Sequence, residues 1–93
     1  MRRYAVLYTP AAAKMIWKLS PEIREVCKNA VEHIAVNPYA GKQLKGPLDE
    51  FRSFRTSEYR IVYTVEEKRI TIIVIAVGHR RDIYEKLLRM LKK

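Results

Sequence analysis

The segment ITIIVIAV, residues 70–77, places the strongest limit on the fold of this chain. Apart from Thr71, every position in it is apolar. Because successive side chains of a strand point to opposite faces, such a run is typical of an interior strand that is covered on both faces. We therefore predict that residues 70–77 form the centre of a sheet.

The first half of the chain predicts one strand followed by two helices. Residues 4–8 alternate and include Val, Leu and Tyr, as strands do. Thr9-Pro10 and Ser20-Pro21 each combine a capping hydroxyl with the proline favoured in the first helical turn. The first helix is expected to run to about Leu19, and the second to end before Asn37-Pro38. The two should form an antiparallel hairpin whose apolar stripes face the sheet.

The second half predicts the rest of the sheet and a terminal helix. Residues 51–56, 59–65 and 70–77 are strand-like, and their short connections imply an antiparallel meander. Residues 82–93 carry apolar side chains at helical spacing. The expected fold class is α+β: a small antiparallel sheet with an N-terminal helical hairpin packed on it and a short C-terminal helix, in the order β-α-α-β-β-β-α. A chain of 93 residues is expected to be one domain, residues 1–93.

The charge of the chain favours a polyanionic partner. Nineteen Lys and Arg against ten Asp and Glu give a formal net charge of +9, and the excess is larger after Gly41 than before it. Nucleic acid is the leading polyanion, while an anionic membrane surface or an acidic protein would satisfy the same charge. No segment has the roughly 20 apolar residues that cross a bilayer, and the first residues do not resemble a signal peptide, so we expect the protein in the cytoplasm.

Neither a metal nor another cofactor is expected. The single cysteine excludes an intramolecular disulfide and multi-cysteine metal sites, and His33 and His79 lack ligand spacing. Phosphate-binding loops of the GxxxxGK[ST] and GxGxxG types are absent, and no acidic pair lies where it could hold Mg²⁺. If the chain cleaves RNA, we expect the ribose 2′-hydroxyl to be the nucleophile and arginines to stabilise the charge on the phosphate oxygens.

Three arginines are expected to converge on the sheet face that points away from the hairpin. If Ile61 faces the helices, alternation places Arg60 on the other face, beside Arg55 of the preceding strand. Arg80 follows the end of the central strand. Guanidinium groups match phosphate oxygens, although any one of them can equally be a solvated side chain or a partner of Glu58 or Asp82. The surrounding phosphate-binding set is expected to comprise Lys42, Lys45, Arg52, Arg55 and Arg81.

Tyr84 and His79 complete the candidate site, and each has two possible roles. A tyrosine beside arginines can stack on an unpaired base, and flanking positive charge favours the phenolate, which accepts a proton. Tyr84 can equally pack the terminal helix against the core. His79 is the candidate acid or base nearest the arginines, although alternation sets it out of phase with Arg80, so it can instead cap the strand end. Cys27 is expected to be buried and His33 exposed.

Three motifs together resemble the RelE/ParE toxin superfamily: GKQLKGPL (residues 41–48), FRSFRTSEYRIVYTV (51–65) and VGHRRDIY (77–84). Members of that superfamily carry a central (G/S)-x-Y-R-(I/V)-(I/V)-Y segment and a V-G-H-R-x-x-(I/V)-Y ending. The resemblance implies a fold like that of the small microbial ribonucleases and a toxin encoded beside a RelB-like antitoxin that neutralises it. The RelE branch cuts mRNA in the ribosomal A site by 2′-hydroxyl attack, whereas the ParE branch poisons DNA gyrase and lacks the cleavage residues.

The resemblance also implies roles for individual residues. Arg60 matches the phosphate-contacting arginine of the YR pair, and Arg80 matches the arginine after the glycine turn. Tyr84 matches the terminal tyrosine credited with base stacking and proton transfer, and Lys45 matches a basic residue of the loop. These four residues, with His79, are the carried-over candidates.

One departure from the family pattern concerns the general base. RelE has two lysines in the strand before YR, and that strand here reads FRSFR, residues 51–55. Arginine is a poor base, since its pKa exceeds about 12. His79 is the candidate replacement, as a histidine is in the YoeB branch, but the glutamate used there has no counterpart in GKQLKG.

The sequence therefore predicts a ribosome-dependent, metal-independent mRNA endoribonuclease. Its expected partners are a cognate antitoxin, mRNA on the ribosome and ribosomal RNA, and no membrane. Two alternatives stay open: a gyrase inhibitor of ParE type, and a basic domain that binds nucleic acid or ribosomes without cutting.

Overall fold

The protein folds around a mixed sheet in which four strands are antiparallel and the first is added in parallel. The computed structural model describes residues 2–92, within which the chain forms five strands and three α-helices. The strands are β1 (Ala5–Tyr8), β2 (Lys42–Gln43), β3 (Arg52–Thr56), β4 (Tyr59–Glu66) and β5 (Thr71–His79). They lie in the order β1-β5-β4-β3-β2. The α+β class and the antiparallel meander are confirmed.

The parallel pairing of β1 with β5 differs from the expected all-antiparallel sheet. β4 pairs with β5 in antiparallel fashion, whereas β1 runs alongside β5 in the same direction, with Ala5 opposite Thr71. A parallel neighbour requires a long crossover instead of a tight turn. The two helices that follow β1 provide the start of that crossover, so β5 is an interior strand with a partner on each edge.

The three helices begin and end close to the predicted residues. They are α1 (Pro10–Trp17), α2 (Pro21–Val36) and α3 (Ile83–Leu91). Both predicted caps form: the Thr9 and Ser20 hydroxyls accept the backbone N–H groups of Ala12 and Ile23, at 3.1 and 3.4 Å. The predicted terminal helix is confirmed for residues 83–91, and Lys93 lies outside the described residues. No helix within residues 2–92 is long and apolar enough to span a bilayer.

Two apolar clusters cover the two faces of the sheet, as the composition of the central run requires. The hairpin cluster joins α1 and α2 to one face and contains Ala12, Cys27, Ala30, Val31, Ile34, Ile61, Tyr63, Ile72, Val74 and Val77. The α3 cluster lies on the other face and contains Leu48, Phe51, Val62, Ala76, Ile83 and Leu87. Complete burial of one such aliphatic side chain stabilises the fold by roughly 1.5–3 kcal/mol. β5 contributes to both clusters, which confirms that it is an interior strand covered on both faces, although β4 is the middle strand of the five.

A bulge in β5 adjusts this two-sided packing. The pairing with β4 skips one residue between Val62 and Tyr63, so Ile75 has no direct partner. Ile75 and its neighbour Ala76 therefore both pack against the α3 cluster. The Thr9 hydroxyl donates to the Ile75 carbonyl at 3.3 Å, which ties the start of α1 to the bulge.

The connection between β4 and β5 has a strained backbone. Ile70 was expected to begin the strand, but β5 begins at Thr71 and Ile70 has a φ of 49°. The left-handed region is unusual for a β-branched side chain. Ile70 closes the short 3-10 turn Glu67–Arg69, and its left-handed conformation returns the chain into the sheet.

Two other sequence expectations are confirmed by burial. Cys27 lies buried in the hairpin cluster, where desolvation raises the pKa of its thiol. His33 is exposed, and its ring lies 5.4 Å from that of Phe54. Both side chains are therefore explained by packing alone.

Tyr63 fixes the loop that leads into β2. Its side chain is fully buried, and its hydroxyl donates to the Pro38 carbonyl at 2.7 Å while accepting the Gly41 N–H at 2.9 Å. Burial is the main cause that raises the pKa of this phenol. A Cβ on Gly41 would lie 2.6 Å from the phenol oxygen, so the close approach requires glycine. The start of the basic loop, the segment 41–48 that carries Lys42 and Lys45, is thereby held against the sheet.

Tyr63→Phe should destabilise the protein, because it leaves the buried Pro38 carbonyl and Gly41 N–H without their partner. We expect the free energy of unfolding to fall by roughly 1–3 kcal/mol in denaturant titrations. Tyr8→Phe is the matched control, since Tyr8 is exposed, and should change stability by less than about 0.5 kcal/mol. Equal stability of Tyr63→Phe and the unmodified protein would contradict the anchoring role.

Candidate functional site

Arg60 lies on the face of the sheet that α3 covers, beside Tyr84. It is in register with Arg55 of β3 and Gly78 of β5, and its neighbour Ile61 packs on the hairpin side. The guanidinium carbon of Arg60 is 5.8 Å from the centre of the Tyr84 ring. Strand alternation therefore brings Arg55 and Arg60 to one face, and the first turn of α3 adds an aromatic ring to them.

The position of Tyr84 depends on how α3 docks. Ile83, the residue before it, is fully buried over Gly78, where an added Cβ would lie 3.1 Å from the Ile83 Cδ1 atom. The Tyr84 hydroxyl donates to the Ser53 hydroxyl oxygen at 3.1 Å, and Ser53 is itself buried. The tyrosine is thus held at its backbone by α3 and at its hydroxyl by β3. The packing role of Tyr84 is observed, because its ring packs against the α3 cluster, and the same ring also flanks Arg60.

The guanidinium of Arg60 has a hydrogen-bond donor that the fold leaves unused. Its Nε atom is buried and has no hydrogen-bond partner among the described residues. Leaving a buried donor unpaired costs on the order of 1–3 kcal/mol. Arg55 lies directly across from it on β3, and like charges at such cross-strand positions are also destabilising. The arrangement is suited to an anion that would pair with both cations.

Arg80 is held at the end of β5 by a single acidic residue. Its Nε atom lies 2.8 Å from the Glu58 carboxylate, and its backbone N–H donates to the Glu58 carbonyl, also at 2.8 Å. Of the two acidic partners considered for it, the structure therefore selects Glu58 and not Asp82. Both side chains are exposed enough to meet a ligand in solution.

Three further cations lie where they can border this face. Lys42 is in register with Ser53 and therefore shares its side of the sheet. Lys45 is exposed at the start of the 3-10 turn Gly46–Leu48. Arg81 is exposed directly after Arg80.

Arg52 lies on the other side of the sheet, which corrects the expectation that it borders the arginine face. It is in register with Tyr63, whose side chain points to the hairpin. Its Nε donates to the Gly41 carbonyl at 3.0 Å, and its guanidinium stacks over the Tyr39 ring at 5.0 Å. Because successive residues of a strand face opposite ways, Arg52 and Ser53 cannot both point toward Tyr84.

His79 is also separated from the arginine face. Its neighbour Gly78 is the residue opposite Arg60, so alternation directs His79 to the hairpin side, where its ring meets that of Tyr59 edge-on at 5.7 Å. Its Nδ1 accepts the Arg81 N–H at 3.2 Å, as expected of a residue that caps the strand end. The placement beside the arginines that was expected of His79 is therefore not observed.

Two contacts of the site escaped the sequence. Ser53 bonds to Tyr84, and because this bond joins residues 31 positions apart it leaves no local signal in the sequence. Glu58 was one of two possible partners of Arg80, and only the register between β4 and β5 decides between them. Among residues 2–92, no group of three or more His, Cys, Asp or Glu side chains is arranged to hold a metal ion.

Arg60→Met should stabilise the protein, because it replaces a buried unpaired donor with an apolar group and removes the repulsion from Arg55. We expect the free energy of unfolding to rise by about 1 kcal/mol. Arg69→Met removes the same charge at the opposite end of β4, where the side chain is exposed, and should have almost no effect. Destabilisation by Arg60→Met would mean that the fold uses this guanidinium.

The chain matches the family described as the ParE toxin of the type II toxin–antitoxin system parDE, over residues 6–84. It is 32% identical over 85 residues to the toxin RelG of Mycobacterium tuberculosis, which covers 89% of this chain and 98% of that protein. It is 28% identical over 90 residues to the mRNA interferase toxin RelE of Escherichia coli, with 92% and 95% of the two chains covered.

Solved structures show the same similarity. The toxin–antitoxin complex RelBE2 of Mycobacterium tuberculosis contains a chain that superposes with a TM-score of 0.80 at 26% identity, covering 85% of this chain and 93% of that one. The isolated RelE toxin of Escherichia coli superposes with a TM-score of 0.70 at 28% identity, covering 82% and 83%. The fold is therefore shared along most of the length of these proteins.

Proposed function

Since the chain belongs to the ParE toxin family of type II toxin–antitoxin systems, within the RelE/ParE superfamily, we propose that it acts as a ribosome-dependent mRNA endoribonuclease. The Escherichia coli relative is named an mRNA interferase. The observation that carries the proposal is the Arg60 guanidinium, whose Nε is buried beside the Tyr84 ring and has no hydrogen-bond partner within residues 2–92. A cation with an unused donor suits an anion such as a phosphodiester.

The proposed reaction is cleavage by the RNA itself. The ribose 2′-hydroxyl gives up its proton as its oxygen forms a bond to the adjacent phosphorus, while the bond from phosphorus to the 5′-oxygen breaks and that oxygen takes up a proton. The products are a 2′,3′-cyclic phosphate and a 5′-hydroxyl. Negative charge that builds on the non-bridging oxygens is stabilised by Arg60 and Arg80, and Lys42, Lys45, Arg55 and Arg81 bind the flanking backbone.

Tyr84 is the better of the two candidates for proton transfer. It lies beside Arg60 on the arginine face, and its ring can stack on a base next to the scissile phosphate. His79 lies on the hairpin side of the sheet, away from Arg60. We therefore propose Arg60, Arg80 and Tyr84 as the catalytic residues, without His79 and with Arg52 outside the phosphate-binding set.

Purified protein incubated with end-labelled mRNA on programmed ribosomes should cut the message in the A site. Arg60→Ala and Arg80→Ala should each lower the single-turnover rate by roughly 100-fold or more, the typical effect of losing one group that stabilises an oxyanion. Arg69→Ala, which removes an exposed charge far from the site, should cut at the unmodified rate.

Two results would contradict the proposal. One is intact mRNA with a folded, growth-inhibiting preparation. Inhibition of supercoiling by that preparation would then assign the protein to the gyrase-directed branch. The other is full activity of the Arg60→Ala and Arg80→Ala variants, which would remove these residues from the chemistry.

The second part of the proposal is an acidic antitoxin that covers α3. The Mycobacterium tuberculosis neighbour was solved as a toxin–antitoxin complex, and the net charge of +9 favours an acidic partner. α3 is docked through Ile83 and Leu87, while Leu88 and Leu91 are exposed. These two leucines give an apolar helix of the partner a place to bind.

Co-expression with the adjacent open reading frame should give a complex that survives size-exclusion chromatography. Leu88→Ser combined with Leu91→Ser should weaken this complex by roughly tenfold or more, because burying the part of each leucine that is still exposed contributes on the order of 1 kcal/mol. Leu7→Ser, which changes an exposed leucine on β1, is the control. Unchanged affinity of the double variant would place the antitoxin elsewhere, and absence of any complex would contradict the partnership.

A further inference from the structure

We infer that Glu58 is a positioning residue, which holds the Arg80 guanidinium so that its two terminal amino groups point to the scissile phosphate. This inference rests on the proposed function. It concerns a carboxylate in the turn between β3 and β4, one that would otherwise only weaken a site built to bind an anion.

The backbone brings Glu58 and Arg80 together. Ser57 and Glu58 form the two-residue turn between β3 and β4, with Ser57 at a φ of 56°. Beyond the last registered pair of β4 and β5, the Arg80 N–H still donates to the Glu58 carbonyl at 2.8 Å. The turn between β3 and β4 and this backbone hydrogen bond therefore fix the Cα of Glu58 relative to the Cα of Arg80.

The side-chain contact uses one edge of the guanidinium. The Glu58 carboxylate accepts from Arg80 Nε at 2.8 Å. Held in this way, the guanidinium keeps the four N–H groups of its terminal nitrogens for a ligand, and a phosphate accepts such a pair in fork geometry. A grip on the Nε edge also removes rotations that an unheld arginine would have to lose during the reaction.

The clamped arginine lies next to Arg60. Glu58 precedes Arg60 by two residues on the chain, and Arg80 follows Gly78, the residue opposite Arg60, by two. Two residues of a strand span about 7 Å, so the two guanidinium groups can reach one phosphodiester. The Glu58–Arg80 pair and Arg60 are therefore adjacent parts of one surface.

A contribution to stability does not account for the pair. The Arg80 side chain is 41% exposed and that of Glu58 is 53% exposed, and ion pairs at such exposed positions contribute little to the free energy of folding. The carboxylate also adds a negative charge where RNA must bind, which costs affinity. A role in orienting Arg80 accounts for both observations, because it gains rate at the expense of binding.

Single-turnover cleavage of mRNA on programmed ribosomes tests this role with two substitutions. Glu58→Ala removes the acceptor and should lower the rate at saturating protein by about tenfold, while the half-saturating concentration stays equal or falls. Glu58→Gln keeps an oxygen acceptor for Nε without the charge and should stay within about twofold of the unmodified rate. Glu66→Ala, which removes an exposed carboxylate at the far end of β4, is the matched control.

A second measurement does not depend on activity. The Arg80 Nε–H signal in ¹H–¹⁵N spectra, assigned by its loss in Arg80→Lys, should resist exchange with water in the unmodified protein and in Glu58→Gln, and should be broadened in Glu58→Ala. The inference is supported when this signal and the cleavage rate are lost together and when both are restored in the glutamine variant.

The contrary outcomes are distinct. A Glu58→Ala variant that cuts at the unmodified rate, while the unmodified protein cuts, overturns the positioning role and leaves the proposed function in place. Equal losses in Glu58→Ala and Glu58→Gln overturn it as well, because the charge and not the hydrogen bond would then matter. An unmodified protein that leaves mRNA intact overturns the proposed function and the positioning role together.

Discussion

The burial of β5 on both faces is the constraint on which the rest of the structure depends. A strand with apolar side chains on both of its faces must be buried on both, and the helical hairpin covers only one of them. The second face needs its own cover, and α3 with the loop around Leu48 and Phe51 provides it. The candidate site lies at the end of this second layer. The packing that completes the core thus also brings Tyr84 to Arg60.

The site opposes the stability of the layer that supports it. The Arg60 Nε has no hydrogen-bond partner within residues 2–92 and Arg55 faces it, and both facts lower the stability of the free protein. The two cations become favourable only when an anion binds to them. The rest of the fold tolerates this loss of stability because an apolar cluster stabilises each face of the sheet. Arg52, on the other face of the sheet, instead has a partner within the fold, because its Nε donates to the Gly41 carbonyl at 3.0 Å. The contrast within one chain separates a structural cation from one held ready for a ligand.

Much of this structure could be predicted because it is encoded locally. Thr9-Pro10 and Ser20-Pro21 predict where the first two helices begin. The alternation of side chains along each strand is enough to place Arg60 and Arg55 on one face of the sheet. What could not be predicted depends on residues distant in sequence. The parallel pairing of β1, the skipped Ile75 and the bond between Ser53 and Tyr84 are decided by packing between elements and have no local pattern. The placement of Arg52 was missed although alternation is a local rule, because it was grouped by its nearness in sequence to the cluster, whereas alternation had already offered the strand end as one place for His79.

The anchoring of the basic loop at Tyr63 has a consequence for how such proteins diverge. Gly41 is enclosed by the Tyr63 ring and by the Ser53 backbone, so the root of the loop admits almost no substitution. Beyond the root, Lys42, Gln43 and Lys45 are exposed and carry no comparable restriction, whereas Gly46 has a φ of 64°. Descendants of this chain are free to change the length and charge of the loop while its point of departure stays fixed. Selection for a different nucleic-acid surface can therefore act on the loop without having to rebuild the sheet.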